Sequence, residues 1–280
     1  MATSQQRAVL GMVGLGRMGA NMVRRLNRHG LVVAGFDADP AAAAALAGNE
    51  VFVAADSIEA LVARTAAPRC IWIMLPAGEP TEGALARLAG LLQPGDLVID
   101  GGNADYRDSQ RRAKWLAERQ LLFMDIGVSG GVWGLENGYG LMVGGAPEAV
   151  ARMMPVVKAL APAPDAGWVH CGPPGSGHYA KMIHNGIEYG LMQAYAEGFS
   201  LLAAKKEFDL DLGAIAKAWQ RGTVVRSWLL DLSAEALADP EKLAGIAPVV
   251  ADSGEGRWTV RESVDLGVPA PVITIALAAR

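Results

Sequence analysis

Four polar residues that could carry acid–base chemistry stand close together in the stretch KMIHNGIEYG, positions 181–190. Lys181 and Glu188 can exchange protons, and His184 and Asn185 can hold hydroxyl groups. On an α-helix the four would fall within about 100° of arc, because they are spaced i, i+3, i+4 and i+7. Lys181 and Glu188 would lie roughly 10 Å apart along the helix axis. The stretch therefore predicts one stripe that holds two proton carriers.

The same spacing also fits the solvated face of an ordinary amphipathic helix. Two features favour a buried helix instead. The helical pattern, from its N-cap candidate Ser176 to about Lys206, is apolar around most of its circumference. It also contains interior glycines, each costing about 1 kcal/mol relative to alanine, so we expect close packing there. The far side of the helix carries Ile183, Ile187, Gly190, Ala194 and Leu201, and the interior glycines are Gly186, Gly190 and Gly198.

A dehydrogenase would explain this set of residues. A buried lysine can accept the proton of a substrate hydroxyl while a hydride leaves for a nicotinamide cofactor. Glu188 could then make a second proton transfer at the other end of a short carbon chain, with His184 and Asn185 orienting the substrate. The four histidines are scattered and show no metal-ligand spacing, so we expect no metal.

A nucleotide site is predicted by GLGRMG at positions 14–19, which follows an apolar run and opens a helical pattern. Gly14 allows the tight turn, Gly16 lets the backbone approach a pyrophosphate, and Gly19 allows close packing. Asp37 ends the next apolar run, 18 residues after Gly19, close to the spacing of a ribose-binding acid. The candidate cofactor-binding residues are Gly14, Gly16, Arg17, Met18, Gly19, Asp37, Leu75, Pro76 and Asn103.

Asp37 also indicates which cofactor binds. A carboxylate accepts hydrogen bonds from a ribose 2′-hydroxyl but repels a 2′-phosphate, for which an NADP site supplies an arginine. The stretch after Phe36 reads DADP, and no arginine follows before Arg64. We therefore expect NAD in preference to NADP.

The elements that position these residues follow from short apolar runs alternating with helical patterns, which are typical of βαβ units and a parallel sheet. After a breaker-rich segment at 170–178 no strand is expected, so an all-α domain built on the long helix should follow. We place a Rossmann-type α/β domain at 1–176 and a helical domain for substrate binding and oligomerisation at 177–280. The predicted strands are 7–13, 31–37, 70–78, 96–103 and 121–131. Besides the long helix at 176–206, the predicted helices are one that ends at Gly30, then 40–48, 56–65, 79–92, 104–119, 211–221, 223–237, 241–247 and one from about 270.

Composition excludes several classes of protein. The net charge of −4 argues against a nucleic-acid-binding surface, and no apolar run is long enough to span a bilayer. Two cysteines do not make a disulfide framework. We therefore expect a cytoplasmic protein that binds neither nucleic acid nor membrane.

Several motifs together resemble the 6-phosphogluconate dehydrogenase family. They are GLGRMGANMVRRL, IDGGNADY, VSGGVWG, GHYAKMIHNGIEYGLMQAYAEG and DSGEGRWT, and the resemblance runs over almost the whole length of the chain. The chain looks like the short, NAD-preferring branch of that family. The resemblance implies oxidation of 6-phosphogluconate at C3, loss of CO2 and release of ribulose 5-phosphate, in the pentose phosphate pathway, by a homodimer or homotetramer.

The resemblance also implies roles for single residues. Lys181 would act as the base and then as the acid that polarises the ketone, and Glu188 would protonate C1. His184 and Asn185 would hold hydroxyls of the sugar acid. Asn103 and the turn Ser129, Gly130 and Gly131 would contact the sugar acid and the nicotinamide, and Tyr189, Arg257 and Arg280 would bind the phosphate. In this interpretation Arg257 lies in a Gly-rich loop where the larger family members carry lysine, and a guanidinium can grip phosphate bidentately.

Some alternatives remain open at this point. Asn103 could cap the next helix, the 129–131 segment could be an ordinary turn, and Tyr189 could be a core aromatic. A β-hydroxyacid dehydrogenase of the 3-hydroxyisobutyrate type would also use a lysine with an asparagine four residues later, but without the pairing of His184 and Glu188. A non-catalytic NAD-binding protein would need neither proton carrier.

Overall fold

The structure is a computed structural model and describes residues 7–46, 48, 51–247, 249–250 and 252–280. The chain divides into two compact units, the first ending at Lys181 and the second beginning at Met182. The division falls inside one long helix. Each unit is described by itself below.

The first unit is built on an eight-stranded sheet with the strand order β3-β2-β1-β4-β5-β6-β7-β8. Strands β1 to β6 pair in parallel, which confirms the predicted Rossmann-type fold. The strands are β1 (Leu10–Val13), β2 (Val33–Phe36), β3 (Phe52–Ala54), β4 (Cys70–Ile73), β5 (Leu97–Asp100), β6 (Leu122–Ser129), β7 (Gly140–Gly145) and β8 (Trp168–Gly172).

Three of these strands were not predicted. Strand β3 has only three residues, and β7 reads GLMVGG, so its glycines conceal the strand pattern. Strand β7 pairs antiparallel with β6, and β8 pairs parallel with β7, so the sheet is mostly parallel and changes direction once at this edge. The last strand, β8, ends inside the segment 170–178 that was predicted to be a breaker-rich hinge.

Alternate residues of the central strands enter two separate cores, one on each face of the sheet. Leu10 and Met12 of β1 belong to one core, and Val13 belongs to the other. Strands β1, β4 and β5 are buried along their whole length, which explains why each reads as a continuous apolar run.

The helices of the first unit cover these two cores. Side chains of Asp39, Ser57 and Asp105 cap three of them by accepting a backbone N–H of the first turn. The helices are α1 (Arg17–Arg28), α2 (Pro40–Ala44), α3 (Ile58–Arg64), α4 (Glu79–Leu91), α5 (Tyr106–Ala117), α6 (Gly134–Asn137) and α7 (Pro147–Leu160), and Gly131–Trp133 forms a 3-10 turn.

Helix α8 (Ser176–Ala204) leads into the second unit, in which the described residues form helices only, as predicted. One prediction failed: the segment around Arg257 is not a Gly-rich loop but the beginning of α12, which follows Gly254 with φ +104°. No helix within the described part of the chain is long and apolar enough to cross a membrane. The helices after α8 are α9 (Leu212–Trp219), α10 (Trp228–Leu237), α11 (Pro240–Ala244), α12 (Glu255–Asp265) and α13 (Pro271–Ala278).

Candidate active site

The predicted cofactor residues gather at the carboxyl edge of four neighbouring strands. Gly14 follows β1, Asp37 follows β2, Leu75 follows β4, and Asn103 follows β5. Because the sheet order is β2-β1-β4-β5, these positions lie side by side. A side-chain methyl of Leu75 lies 3.0 Å from the point where a β-carbon on Gly14 would stand. Dinucleotides bind at this edge of open α/β sheets, where the strand order reverses beside the first strand.

The glycines of the first turn are required by the space around them. Gly14 has φ +96°, and a β-carbon there would stand 2.5 Å from the carbonyl oxygen of Met74. A β-carbon on Gly19 would clash with the carbonyl oxygen of Gly14. At Gly16 a β-carbon would meet nothing within 4 Å, and no side chain caps α1. The loop therefore leaves open space at an uncapped helix N-terminus, which fits a diphosphate.

Asp37 is oriented by two backbone amides. Its Oδ2 accepts a hydrogen bond from Leu15 N at 2.6 Å, and its Oδ1 accepts one from Asp39 N at 2.9 Å. Each carboxylate oxygen can accept a further hydrogen bond, so the group is still able to bind ribose hydroxyls.

Asp37 lies in a cavity of about 640 Å³ that also contains Asp56 and Arg64. Sequence reasoning had not assigned Asp56 to the site, and it had noted Arg64 only as the next arginine in the sequence. The signal for Asp56 is weak, since it follows the very short strand β3. The cavity has the mainly apolar lining suited to an adenosine group. Its lining residues are Phe36, Asp37, Ala38, Pro40, Ala43, Ala44, Ala54, Ala55, Asp56 and Arg64.

Asn103 is exposed at the end of the turn after β5, and Asp105, not Asn103, caps α5. The alternative that Asn103 is merely a helix cap is therefore wrong. The turn is fixed by Asp100, whose Oδ1 accepts from Gly102 N at 3.3 Å and whose Oδ2 accepts from Arg112 Nη1 at 2.6 Å. Both Asp100 and Arg112 are buried.

Arg112 also donates to Glu82 Oε1 from Nε at 3.0 Å and from Nη2 at 2.8 Å. This partly buried network was not predicted, because it joins residues far apart in the sequence. The one sequence signal for this network is Arg112 itself, a charged residue at a helix position that faces the sheet.

Ser129 ends β6, and Gly130 and Gly131 turn the chain into the 3-10 helix with φ values of +127° and +53°. The segment is therefore a strand-to-helix turn at the same edge of the sheet as Asn103. Arg25 stabilises the helices that follow, because it donates to the carbonyl oxygens of Leu135, Glu136, Ala159 and Ala161.

The first turn of α8 is capped by a side chain from the sheet. Asp125, buried in β6, accepts from Gly175 N at 2.6 Å and from His178 N at 2.7 Å. The hydroxyl of Ser176 is buried and has no hydrogen-bond partner among the described residues, so its prediction as the cap was wrong. A single acid inside the apolar run LLFMDIGVSGG was the signal for Asp125.

Lys181 is 8 % exposed, and its stem crosses strand β6 at Gly127, where a β-carbon would clash with it. One turn earlier, Gly177 packs against the backbones of β6 and β7 in the same way. Since Asp125 contacts the start of the helix and Gly127 contacts Lys181, these turns run along β6 toward Ser129. The structure thus brings Lys181 to the strand that ends at the predicted substrate turn.

The other three polar residues of the stripe lie farther along the same uninterrupted helix. His184 Nδ1 is 3.0 Å from Asn185 Oδ1 and 3.9 Å from Glu188 Oε2. The side chains of His184 and Glu188 are 39 % and 38 % exposed. The expectation of a buried glutamate was therefore wrong, whereas the buried lysine is as predicted.

The apolar far side of α8 is also more exposed than predicted. Ile187 and Leu201 are 54 % and 74 % exposed. Close packing is confirmed at Gly186, where a β-carbon would stand 2.7 Å from a methyl of Thr259, and at Gly190, where it would stand 3.3 Å from Val272. At Gly198 a β-carbon would meet nothing within 4 Å, so the packing expected there is absent.

The three predicted phosphate residues belong to the second unit, and the structure brings two of them into contact. The guanidinium of Arg280 lies 3.3 Å from the ring centroid of Tyr189. Tyr189 is buried against Gly256, so it also has the core role that the alternative gave it. Its hydroxyl lies 3.4 Å from Ser253 Oγ.

Arg257 lies in the first turn of α12 and binds Asp252 Oδ2 through Nη2 at 2.6 Å and through Nε at 2.9 Å. The Arg257 guanidinium holds the pKa of Asp252 below its ordinary value, and the N–H of Gly254 acts in the same direction. A phosphate at this helix N-terminus would have to compete with that carboxylate for Arg257.

Comparison with known proteins identifies both parts of the chain. The model described as the NAD binding domain of 6-phosphogluconate dehydrogenase matches residues 9–172, and that of the 6-phosphogluconate dehydrogenase C-terminal domain matches residues 177–280. A Haloferax volcanii protein named 6-phosphogluconate dehydrogenase, NAD(+)-dependent, decarboxylating, is 46% identical, over 97% of this chain and 89% of that protein.

Two solved structures share the fold over nearly the whole chain. Plasmodium falciparum 6-phosphogluconate dehydrogenase, described alone and with NADP+ or 6-phosphogluconate, has a TM-score of 0.88 at 28% identity, with 97% of this chain and 61% of that chain covered. Mycobacterium tuberculosis 3-hydroxyisobutyrate dehydrogenase with L-serine has a TM-score of 0.76 at 25% identity, with 97% and 91% covered.

Proposed function

Because the chain belongs to the 6-phosphogluconate dehydrogenase family, we propose that it catalyses the oxidative decarboxylation of 6-phosphogluconate to ribulose 5-phosphate and CO2, with NAD as the hydride acceptor. The observation that carries the proposal is the buried Lys181 two helical turns before Glu188 on one uninterrupted helix. A simple hydroxy-acid dehydrogenase needs one proton carrier, whereas decarboxylation followed by protonation of carbon needs two.

Lys181 takes the proton of the C3 hydroxyl, and NAD, when bound, would accept the hydride that leaves C3. The protonated lysine then donates a hydrogen bond to the new ketone oxygen. This stabilises the negative charge that develops there as the C1–C2 bond breaks and CO2 leaves. The electron pair of that bond forms the C2–C3 double bond of the enediol. Because the protonated lysine stabilises the charge on the oxygen, no metal ion is needed for this step.

Glu188 gives a proton to the enediol carbon that becomes C1 of ribulose 5-phosphate. Its partial exposure supports this role, since a carboxyl group that must be reprotonated from solvent benefits from access to water. His184 and Asn185, which lie between the two proton carriers in the sequence, hold hydroxyl groups of the sugar acid. Asn103 and the turn Ser129, Gly130 and Gly131 contact the sugar acid and the nicotinamide.

Tyr189, Arg257 and Arg280 bind the substrate phosphate in this proposal. The stacking of Arg280 on Tyr189 and the position of Arg257 in the first turn of α12 support it. The phosphate replaces Asp252 as the partner of Arg257. The guanidinium groups of Arg257 and Arg280 and the N-terminus of α12 would then all face the doubly charged phosphate.

NAD is proposed over NADP on the basis of Asp37. With Asp56 in the same cavity, two carboxylates and one guanidinium, that of Arg64, surround the site of the adenosine ribose. A 2′-phosphate would be repelled by this excess of negative charge. The Haloferax volcanii relative is also named as NAD(+)-dependent.

A homo-oligomer, dimer or tetramer, is proposed from the apolar surface of the second unit. Several large apolar side chains are exposed there that a monomer would leave in contact with water. They include Ile187, Leu191, Leu201, Val264, Val272 and Ile275.

The decisive experiment measures NADH and CO2 formed from 6-phosphogluconate, with 3-hydroxyisobutyrate assayed in parallel. We expect stoichiometric NADH and CO2 from the sugar acid and no turnover of 3-hydroxyisobutyrate. NADH without CO2, or turnover of 3-hydroxyisobutyrate alone, would contradict the proposal. Comparison of kcat/KM for NAD and NADP tests the cofactor, and a preference for NADP would overturn the role given to Asp37.

A further inference from the structure

A buried hydrogen bond joins helix α5 to the first turn of α8. Ser109 Oγ lies 2.7 Å from His178 Nδ1, and the two residues are 0 % and 2 % exposed. His178 precedes Lys181 by three residues, so the two are neighbours on the helix surface. The roles described above use neither Ser109 nor the imidazole of His178.

The same turn is held on its other side by the sheet. Asp125 accepts the backbone N–H of His178, so the backbone of this residue is fixed from β6 and its ring is fixed from α5. Gly175 and Gly177 pack so closely that neither position has room for a side chain. The turn that leads to Lys181 therefore cannot shift unless one of these contacts is broken.

Helix α5 itself is anchored by the buried Arg112, one turn after Ser109, which binds Asp100 before the turn that carries Asn103. The buried face of α5 thus contacts both the end of β5, where the turn of Asn103 begins, and the helix of Lys181. A rigid element that contacts two parts of a site can fix the distance between them.

We infer that Ser109 and His178 are positioning residues for Lys181: their hydrogen bond holds the first turn of α8 so that the side-chain amine of the lysine stands at the correct distance from the reacting hydroxyl. This inference rests on the proposed role of Lys181 as the base. A displacement of a catalytic group by about 1 Å can cost on the order of a hundredfold in rate. Removal of the bond should therefore affect hydride transfer more than cofactor binding.

His178→Asn and His178→Gln form the central pair of test variants, because both are uncharged amides. The amide of asparagine lies near the position of Nδ1 and can keep the bond to Ser109, whereas the amide of glutamine lies near Nε2 and loses it. Ser109→Thr keeps the hydroxyl and Ser109→Ala removes it. Thr65→Val is the control, since Thr65 is equally buried and its hydroxyl binds Leu61 O at 2.9 Å on helix α3.

The measurements are kcat, KM for NAD, the melting temperature, and the kinetic isotope effect with 6-phosphogluconate deuterated at C3. We expect kcat to fall about tenfold or more in Ser109→Ala and His178→Gln. The isotope effect should increase in both, with KM for NAD unchanged. Ser109→Thr and His178→Asn should retain most of the activity.

The inference is overturned if glutamine at 178 supports as much activity as asparagine, or if Thr65→Val lowers kcat as much as Ser109→Ala. If Ser109→Ala does not fold, the asparagine and glutamine pair decides the question alone. An inactive wild-type enzyme would instead contradict the proposed function, and the inference would fail with it.

Discussion

Both halves of helix α8 contain glycines and apolar side chains, but their surroundings differ. In the first half, Gly177 and Gly186 have no room for a side chain, and Lys181 is buried. In the second half, Gly198 faces open space and Leu201 is 74 % exposed. Small and apolar residues therefore do not by themselves distinguish a packed helix from one that presents a surface. The polar residues of the proposed chemistry all lie in the first half.

The largest difference between the halves should be seen with the two lysines. Lys181→Met should lower the rate of 6-phosphogluconate oxidation by about 10²–10⁴-fold, because general-base catalysis contributes that much. Lys205→Met, just beyond the end of α8, replaces an exposed lysine that pairs with Glu207, and it should leave the rate unchanged. Steady-state kinetics with NAD binding measured separately would check this. Equal rates for the two variants would remove Lys181 from the mechanism.

The two glutamates provide the next comparison. Glu188→Gln should slow the incorporation of solvent tritium at C1 of ribulose 5-phosphate by roughly 10–100-fold, because a proton donor is removed while the shape is kept. Glu197→Gln in the second half changes a carboxylate that binds Gln193 and should have no effect. Tritium incorporation that is the same in Glu188→Gln as in the wild type would rule out the proposed role of Glu188.

A smaller effect, on stability, is expected at the glycines. Gly186→Ala would press a methyl group against Thr259, which is held by hydrogen bonds to Met182 O and Glu255 O, and should cost about 1–3 kcal/mol. Gly198→Ala should stabilise by about 0.5–1 kcal/mol, because alanine has the higher helix propensity and the space is open. Urea unfolding measures both values. The comparison of the two halves is wrong if both variants change stability in the same direction.

The last comparison concerns assembly. If copies of the chain associate through the exposed apolar surface of the second unit, Leu201→Glu should weaken the association by roughly tenfold or more, because a carboxylate would have to be desolvated. Val169→Glu, at an exposed position of β8 in the first unit, is the matched control. Light scattering over a range of concentrations gives the dissociation constants. A monomeric wild-type protein would contradict the proposed homo-oligomer.

Features determined by neighbouring residues were predicted well from the sequence. The turn of Gly14 and Gly19 and the position of Asp37 follow from a strand, a turn and a helix that are continuous in the chain. The helical stripe of Lys181 and Glu188 follows from local periodicity in the same way. Helix α12 was missed, because the glycines of DSGEG suggest a loop although only Gly254 requires a positive φ.

Features that depend on distant residues could not be predicted in this way. Asp125 caps α8 across about fifty positions of sequence, and this displaced Ser176 from the role that local reasoning gave it. Ser109, Arg112 and Asp100 form buried contacts that no local pattern shows. The exposure of the second half of α8 depends on which surfaces the fold leaves uncovered, and hydrophobicity alone does not determine that.

The antiparallel strand β7 has a consequence for the polarity of the whole chain. Strands β1 to β6 are parallel, so each of them ends at the cofactor edge of the sheet. By reversing once, β7 and the parallel β8 return the chain to the opposite edge before α8 begins. Helix α8 then runs in the direction of β6, and its Lys181 contacts Gly127 near the end of that strand. One change of strand direction therefore decides at which end of β6 Lys181 lies.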